Sequence, residues 1–97
     1  MEQMFRVQSE ENAQGGALFV LSHDKRVGEL HWRNKSDDVI DVHHTFTSPA
    51  LRGKGVASDL VLRIAAQAEA RNQRIVASCW YAKKVLEESE RYRGLLK

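Results

Sequence analysis

Apolar and polar residues alternate along much of the first half of the chain, which is typical of strands that bury one face. Residues 17–21 are apolar throughout, and residues 39–47 are rich in β-branched and aromatic side chains, which favour strands. Polar clusters and glycines between these segments predict turns. The predicted strands are residues 4–8, 17–21, 27–33 and 39–47, with loops at 9–16, 23–26 and 34–38. We expect the second and third strands to form a hairpin.

The hydrophobic pattern takes a helical period after residue 55. An apolar stripe predicts a helix over residues 53–71, and its members are Val56, Ala57, Leu60, Val61, Ile64, Ala65 and Ala68. Asn72 can end this helix in a left-handed conformation. Residues 74–79 predict a strand parallel to residues 39–47, with the helix as its right-handed crossover. A second helix is expected over residues 81–89, and the last apolar side chains form a closing flap: Tyr92, Leu95 and Leu96.

This order of elements predicts an α+β (mixed α/β) fold. We expect a twisted mixed sheet of about five strands, in which an antiparallel hairpin precedes a parallel strand–helix–strand unit and a C-terminal helix. The 97 residues suffice for a single domain spanning 1–97. No apolar run approaches a membrane span, and the first 20 residues lack the pattern of a signal peptide. The only cysteine, Cys79, cannot form an internal disulfide, which favours a cytoplasmic location.

Charge is distributed unevenly along the chain. Residues 1–49 hold five Lys or Arg against eight Asp or Glu, whereas residues 50–97 hold ten against five. A basic second half suits a phosphate-rich small molecule, although solvated helix faces account for part of the excess. A nucleic-acid partner is disfavoured because aromatic and basic residues do not interleave.

A glycine turn stands between the fourth predicted strand and the first predicted helix. Gly53 and Gly55 let a ligand approach the backbone, and the helix that follows presents unpaired amides at the positive end of its dipole. Arg52 and Lys54 add positive charge beside these amides. The segment therefore predicts a site for a pyrophosphate, with an ordinary tight turn as the alternative.

These residues resemble the GNAT superfamily of acetyl-CoA-dependent N-acetyltransferases. The superfamily signature of Arg or Gln, two residues, Gly, one residue, then Gly or Ala is matched by Arg52, Gly55 and Ala57. The order of elements over residues 27–89 matches as well. The His44-Thr45 pair, the run of residues 51–55 and the lone Cys79 further resemble a group of very small members of the superfamily.

The resemblance implies acetyl-CoA as co-substrate and assigns the residues that hold it. The amides of residues 53–57 would bind the pyrophosphate, and the last residues of the preceding strand would pair with the pantetheine arm as an added strand does. The implied cofactor-binding residues are Thr45, Phe46, Thr47, Arg52, Gly53, Lys54, Gly55, Val56 and Ala57.

The acceptor side departs from the superfamily, in which two helices usually follow the first strand and wall the acceptor site. Only eight residues, 9–16, separate the first two predicted strands, too few for two helices. The acceptor side should therefore be open or completed by another subunit, so a homodimer is possible. The acceptor is expected to be a small-molecule or protein amine, with no nucleic-acid or membrane partner.

Three residues are candidates for catalysis. Adjacent strand residues point to opposite faces, so at most one of His43 and His44 should face the ligand, and we prefer His44 as base. Cys79 could carry the acetyl group or protonate the departing CoA, and Tyr81 resembles in position the hydroxyl acids of many relatives. Each of the three could instead be structural. The strand carboxylate that many relatives use as base is missing, because Asp41 is expected to share the face of His43.

The predicted function is transfer of an acetyl group from acetyl-CoA to a primary amine, by direct attack or through an acetyl-Cys79 variant. The alternative is a module that binds acetyl-CoA or CoA without turnover, which the open acceptor side and the missing carboxylate favour. A protein-interaction domain with a purely structural glycine turn is a third possibility. The histidines have no convincing ligand spacing, so no metal site is predicted. Trp32 and Trp80 are expected in the core.

Overall fold

The computed structural model describes residues 5–97. Five strands form one sheet in sequence order, and they are β1 (Phe5–Asn12), β2 (Gly15–Ser22), β3 (Lys25–Ser36), β4 (Val39–Thr47) and β5 (Arg74–Ala77). The first four strands are antiparallel, and β5 runs parallel to β4. Helix α1 (Val56–Ala70) connects β4 to β5, and α2 (Trp80–Glu87) follows β5. The predicted fold class is confirmed.

The hydrophobic core lies between the sheet and both helices. Helix α1 buries the predicted stripe except for its first turn, and α2 buries Ala82 and Leu86. Their partners on the sheet include Leu18, Leu30 and Val42, which alternate with residues that point to the other face. Because α1 and α2 share one core cluster, that second face is covered by no helix of residues 5–97.

Strand β1 is longer than predicted. Its eight residues are all exposed. Because the strand has no buried face, nothing requires apolar residues to alternate with polar ones, and residues 9–12 show no such alternation. The predicted loop 9–16 shrinks to a two-residue turn, in which Asn12 Oδ1 accepts hydrogen bonds from the amides of Gln14 and Gly15 at 2.8 and 3.1 Å. Met4, which the prediction placed in this strand, lies outside the described residues.

Strand β3 is also longer than predicted, at both ends. The turn before it consists of His23 and Asp24, whose positive φ values of 52° and 66° suit the right-handed twist of a tight hairpin. The strand then continues through residues 34–36, which the pattern assigned to a turn. Its register against β4 shifts twice, and polar residues at such irregular positions obscure the alternation.

The second half follows the prediction apart from its boundaries. Helix α1 begins at Val56 rather than residue 53, and Asn72 adopts the predicted left-handed conformation with φ of 57°. Strand β5 ends at Ala77 because Cys79 already serves as the N-cap of α2. Tyr92 is buried, and Leu96 extends the sheet by an isolated bridge to Ile75. No helix of residues 5–97 has the length and apolar character needed to cross a bilayer.

Candidate active site

The candidate site is a groove between β4 and β5. The two strands pair only over Val39–Val42 and Arg74–Ala77, so residues 43–47 of β4 have no strand partner on that edge. A cavity of about 870 Å³ lies there, within the size range of small-molecule sites. It is lined by His43, His44, Thr45, Phe46, Thr47, Leu51, Arg52, Gly53, Gly55, Val56, Ala57, Ser78, Cys79, Trp80 and Tyr81. Of the predicted site residues, only Lys54 is missing from this lining.

The glycine turn forms one end of the groove. Gly53 and Gly55 both have φ of +83°, a conformation that L side chains rarely adopt. A Cβ built on Gly53 would meet nothing within 4 Å, and one on Gly55 would meet only Ser58 Oγ at 3.8 Å. No side chain caps α1, so its first amides are open to an anion. This backbone can bind a phosphate group without help from side chains.

The two cations of the turn are placed differently. Arg52 Nε donates a hydrogen bond to the Thr47 carbonyl at 3.3 Å, which ties the turn to the end of β4 and keeps the guanidinium beside the cavity. Lys54 is exposed and lies outside the cavity lining. Its amide donates to the Leu51 carbonyl at 3.2 Å, so only the positive charge of Lys54 is available to a pyrophosphate in this arrangement.

The unpaired edge of β4 forms the wall of the groove. Thr45 Oγ1 and Cys79 Sγ are 3.5 Å apart, and either can be the donor. Thr47 Oγ1 is buried without a hydrogen-bond partner among the described residues. Phe46 remains 39% exposed. An extended ligand could pair with the free backbone of this edge as an additional strand does.

The two histidines of β4 do not face apart as predicted. His31 pairs with His44 whereas the next residue, Trp32, pairs with Val42, so His43 is the extra residue of a β-bulge. The ring of His31 lies 6.3 Å from that of His43 and 5.4 Å from that of His44, and both β4 histidines line the cavity. The bulge breaks the alternation on which the prediction depended.

The environment of His43 lowers its pKa below the ordinary value. Desolvation is the largest cause, followed by the positive charge of Arg33, while Asp41 acts in the opposite direction and His31 and His44 add small repulsions. A lowered pKa keeps the imidazole neutral near pH 7, as a proton acceptor must be.

The opposite wall comes from the start of α2. The Cys79 amide donates to the Val42 carbonyl at 3.1 Å, which fixes the N-cap residue of the helix beside the last paired residue of β4. The Cys79 thiol contacts Thr45 rather than His44. Tyr81 is half-buried and lines the cavity next to Trp80. Trp80 was expected in the core but is 74% exposed, because it occupies the first position of α2 on the solvent side.

Asp41 forms a contact that the sequence did not indicate. Its side chain is 7% exposed, and Oδ1 accepts from the Ser78 amide at 3.1 Å while Oδ2 accepts from the Ser78 hydroxyl at 2.9 Å. The expected grouping of Asp41 with His43 survives only as an electrostatic interaction. The carboxylate therefore joins β4 to the residue before Cys79.

The sheet face that no helix covers carries a second cluster. Glu29 Oε1 lies 2.9 Å from His31 Nε2, and the His31 ring contacts Phe19 edge-on at 5.8 Å between centroids. A cavity of about 650 Å³ spreads over this face and shares His43 with the first cavity. Glu29 and His31 lie two positions apart on β3 and therefore on the same face, so the period of a strand could have indicated their contact from the sequence.

Metal binding has no geometric support in the described part of the chain. Residues 5–97 contain no group of three His, Cys, Asp or Glu side chains arranged to hold an ion. The groove itself offers backbone amides, two imidazoles, one thiol, one phenol, the Arg52 guanidinium and the hydroxyls of Thr45, Thr47 and Ser78.

Several solved structures that resemble this chain are acetyltransferases or candidates for that activity. A GCN5-like candidate N-acetyltransferase from Staphylococcus aureus has a TM-score of 0.75 and 26% identity over 95% of this chain and 87% of its own. A ribosomal-protein-alanine N-acetyltransferase from Brucella melitensis has a TM-score of 0.65 and 22% identity over 79% of this chain. This chain spans only 62% of that enzyme.

A third solved structure is an acetyltransferase from Bacillus subtilis in complex with CoA. Its TM-score is 0.68, with 12% identity over 88% of this chain and 74% of its own. At that identity the likeness concerns the fold. No curated protein matches the chain by sequence.

The sequence model of one family extends over most of the chain. The model of the GCN5-related N-acetyltransferases matches residues 18–95, from β2 through the 3₁₀ turn that follows α2. This match confirms the family predicted from the glycine turn, and it supports an acyltransferase with acetyl-CoA as co-substrate. The chain belongs to the GCN5-related N-acetyltransferase family.

Proposed function

We propose that the protein transfers an acetyl group from acetyl-CoA to a primary amine. The observation that carries this proposal is the continuous groove that runs from the open amides of the glycine turn, along the unpaired edge of β4, to the thiol of Cys79. Each part has the chemistry that one part of acetyl-CoA requires. We treat residues 1–97 as one acetyl-CoA-binding domain that works in the cytoplasm.

The glycine turn and β4 would hold the co-substrate. The amides of residues 53 and 55–57 suit the pyrophosphate, with Arg52 beside them, whereas the Lys54 amide donates to the Leu51 carbonyl. The backbone of Thr45, Phe46 and Thr47 suits the pantetheine arm. The acetyl group then falls at the Cys79 end of the groove, where acetyl-CoA supplies an activated thioester.

The histidines and the start of α2 would move the two protons of the reaction. The attacking amine forms the new C–N bond and gives up a proton, and the C–S bond breaks to a thiolate that takes one. A neutral imidazole of His43 or His44 can accept the first proton. Tyr81 or Cys79 can supply the second, because both line the groove beside the histidines.

The acceptor would approach across the sheet face that no helix covers. The second cavity meets the cofactor groove at His43 and has Glu10 at its far side, where a cationic amine would be favoured. A two-residue β1–β2 turn leaves this approach without the usual helical walls. A second copy of the chain could supply the missing wall.

A CoA-binding module without turnover is the second candidate. It is favoured by the lack of any carboxylate among the residues that line the cofactor cavity, since many relatives place a glutamate there. The assay that separates the two incubates the protein with acetyl-CoA and a panel of polyamines, lysine peptides and peptides with free N-terminal alanine. Acetylated product and released CoA above the Gly55→Glu background support the enzyme. Tight binding of acetyl-CoA without thioester loss for any amine supports the module.

A further inference from the structure

A buried aspartate sits at the point where the two walls of the groove separate. Asp41 belongs to the paired part of β4, and its side chain spans 37 residues of sequence to reach Ser78. Among the described residues it is the only Asp or Glu in the buried class. Burying a carboxylate is costly unless hydrogen bonds replace its hydration. Its two bonds to Ser78 supply that replacement at a single residue.

Ser78 is the first residue after the last pair of the parallel strands β4 and β5. Ala77 pairs with Val42, and the Cys79 amide donates to the Val42 carbonyl. The amide and the hydroxyl of Ser78 both donate to Asp41 between these two contacts. Two donors of one residue on one carboxylate restrict both the backbone and the side chain of Ser78 to a single arrangement.

The residues directly after Ser78 form the wall of the groove. Cys79 places its thiol 3.5 Å from Thr45 Oγ1, and Trp80 and Tyr81 begin α2. A shift of Ser78 would therefore move the thiol and the first turn of the helix together.

We propose that Asp41 is a positioning residue that, through Ser78, fixes the opening of the groove and the place of the Cys79 thiol. The placement itself does not depend on the reaction. Its consequence for acetyl transfer rests on the proposed function, because a reacting group displaced by about 1 Å can lose about 100-fold in rate.

The lone cysteine gives a direct readout of this placement. The rate of Cys79 alkylation by iodoacetamide, measured on folded protein without acetyl-CoA, reports how often the thiol leaves Thr45. Ser78→Ala removes one of the two bonds, and Ser78→Thr keeps the hydroxyl. Ser36→Ala is a matched control, because Ser36 Oγ donates to exposed Asp38 at 2.9 Å, just before β4 begins.

The proposal predicts that Ser78→Ala raises the alkylation rate about fivefold, the population change expected for one lost hydrogen bond. Ser78→Thr and Ser36→Ala should stay within about twofold of wild type on the same grounds. An increase below about twofold in folded Ser78→Ala, or an equal increase in Ser36→Ala, would overturn it. Should Ser78→Ala not fold, hydrogen exchange of the Ser78 amide in the wild-type chain tests the proposal instead. Slow exchange supports the positioning of Ser78 by Asp41, and unprotected exchange overturns it.

Binding of acetyl-CoA to the wild type is measured separately. If the alkylation rates change as predicted but no acetyl-CoA binds, the positioning role of Asp41 stands and the proposed function fails. If acetyl-CoA binds and is turned over while Ser78→Ala leaves the alkylation rate unchanged, the proposed function stands and the positioning role of Asp41 fails.

Discussion

The two ends of the groove are built in different ways. The proposed phosphate end is a backbone structure, in which Gly53, Gly55 and the first amides of α1 present donors without any side chain. The proposed thioester end is a side-chain structure, in which Thr45 meets Cys79 and Asp41 meets Ser78 across more than thirty residues of sequence. Binding and chemistry should therefore fail separately when each end is changed.

The largest effect is expected at the phosphate end. Gly55→Glu should abolish acetyl-CoA binding, because it puts a carboxylate in front of the open amides and forces a non-glycine residue to φ of +83°. The check is calorimetric titration at a protein concentration near the wild-type Kd. Gly94→Glu is the charge-matched control, since a Cβ built on Gly94 meets nothing within 4 Å and Gly94 lies outside the groove lining. Unchanged affinity in Gly55→Glu would contradict the assignment of the glycine turn as the pyrophosphate site.

Removing the thiol should affect chemistry and spare binding. Cys79→Ala should lower kcat about 100-fold, the usual scale for losing a proton donor or acceptor, while the Kd for acetyl-CoA changes little. Mass spectrometry of the intact wild-type chain after acetyl-CoA addition distinguishes the routes. A stable acetyl adduct that disappears in Cys79→Ala and is discharged by amines would replace direct attack with the acetyl-Cys79 variant. Equal losses of affinity and kcat in Cys79→Ala would contradict the expectation that binding and chemistry fail separately.

The histidines should separate by their pH dependence. Because the pKa of His43 is lowered, its imidazole stays neutral to a lower pH than an ordinary histidine does, so activity that depends on it should fall only on acidification. His43→Gln should remove this acidic limb of kcat/KM, whereas His44→Gln should leave it if His43 is the base. The reverse result would restore the preference for His44.

The same histidine has a smaller effect on stability. With a folded-state pKa below the unfolded one, its stabilising contribution is complete above the unfolded pKa and is lost as the pH falls through the folded one. Urea unfolding at several pH values should therefore show a flatter acidic dependence in His43→Gln. An acidic dependence identical to wild type would contradict the lowered pKa of His43.

The smallest effect is expected away from both ends. Arg71, at the end of α1, donates two hydrogen bonds to Glu11 of β1 at 2.7 and 3.1 Å, which lowers the pKa of Glu11 and makes the pair contribute above that pKa. Both side chains are more than 40% exposed, so Glu11→Gln should cost about 0.5 kcal/mol or less in unfolding free energy. Acetyl-CoA affinity should not change. A measurable loss of affinity would mean that the contact between β1 and the end of α1 affects the groove.

The difference between the two ends also explains what the sequence could predict. The glycine turn, β4 and the stripe of α1 are local patterns, and each was predicted close to its observed position. Residues 9–12 were missed because an edge strand exposed on both faces carries no alternation. The bulge at His43 and the Asp41–Ser78 contact depend on pairing between distant segments, which the order of residues does not encode locally.

Trp80 illustrates the same limit at a single residue. Its size predicts burial, but its position depends on where α2 begins, and that boundary is set by the contacts of Ser78 and Cys79 with β4. Whether it covers the bound co-substrate can be followed through indole fluorescence during the titrations above.

The most direct test of the groove as an acetyl-CoA site is calorimetric titration of the wild-type chain with acetyl-CoA, CoA and ATP. We expect saturable binding of acetyl-CoA and CoA, and much weaker binding of ATP, because ATP cannot pair with the free edge of β4. Absence of heat and of any thermal shift with acetyl-CoA, or equal binding of ATP, would contradict it.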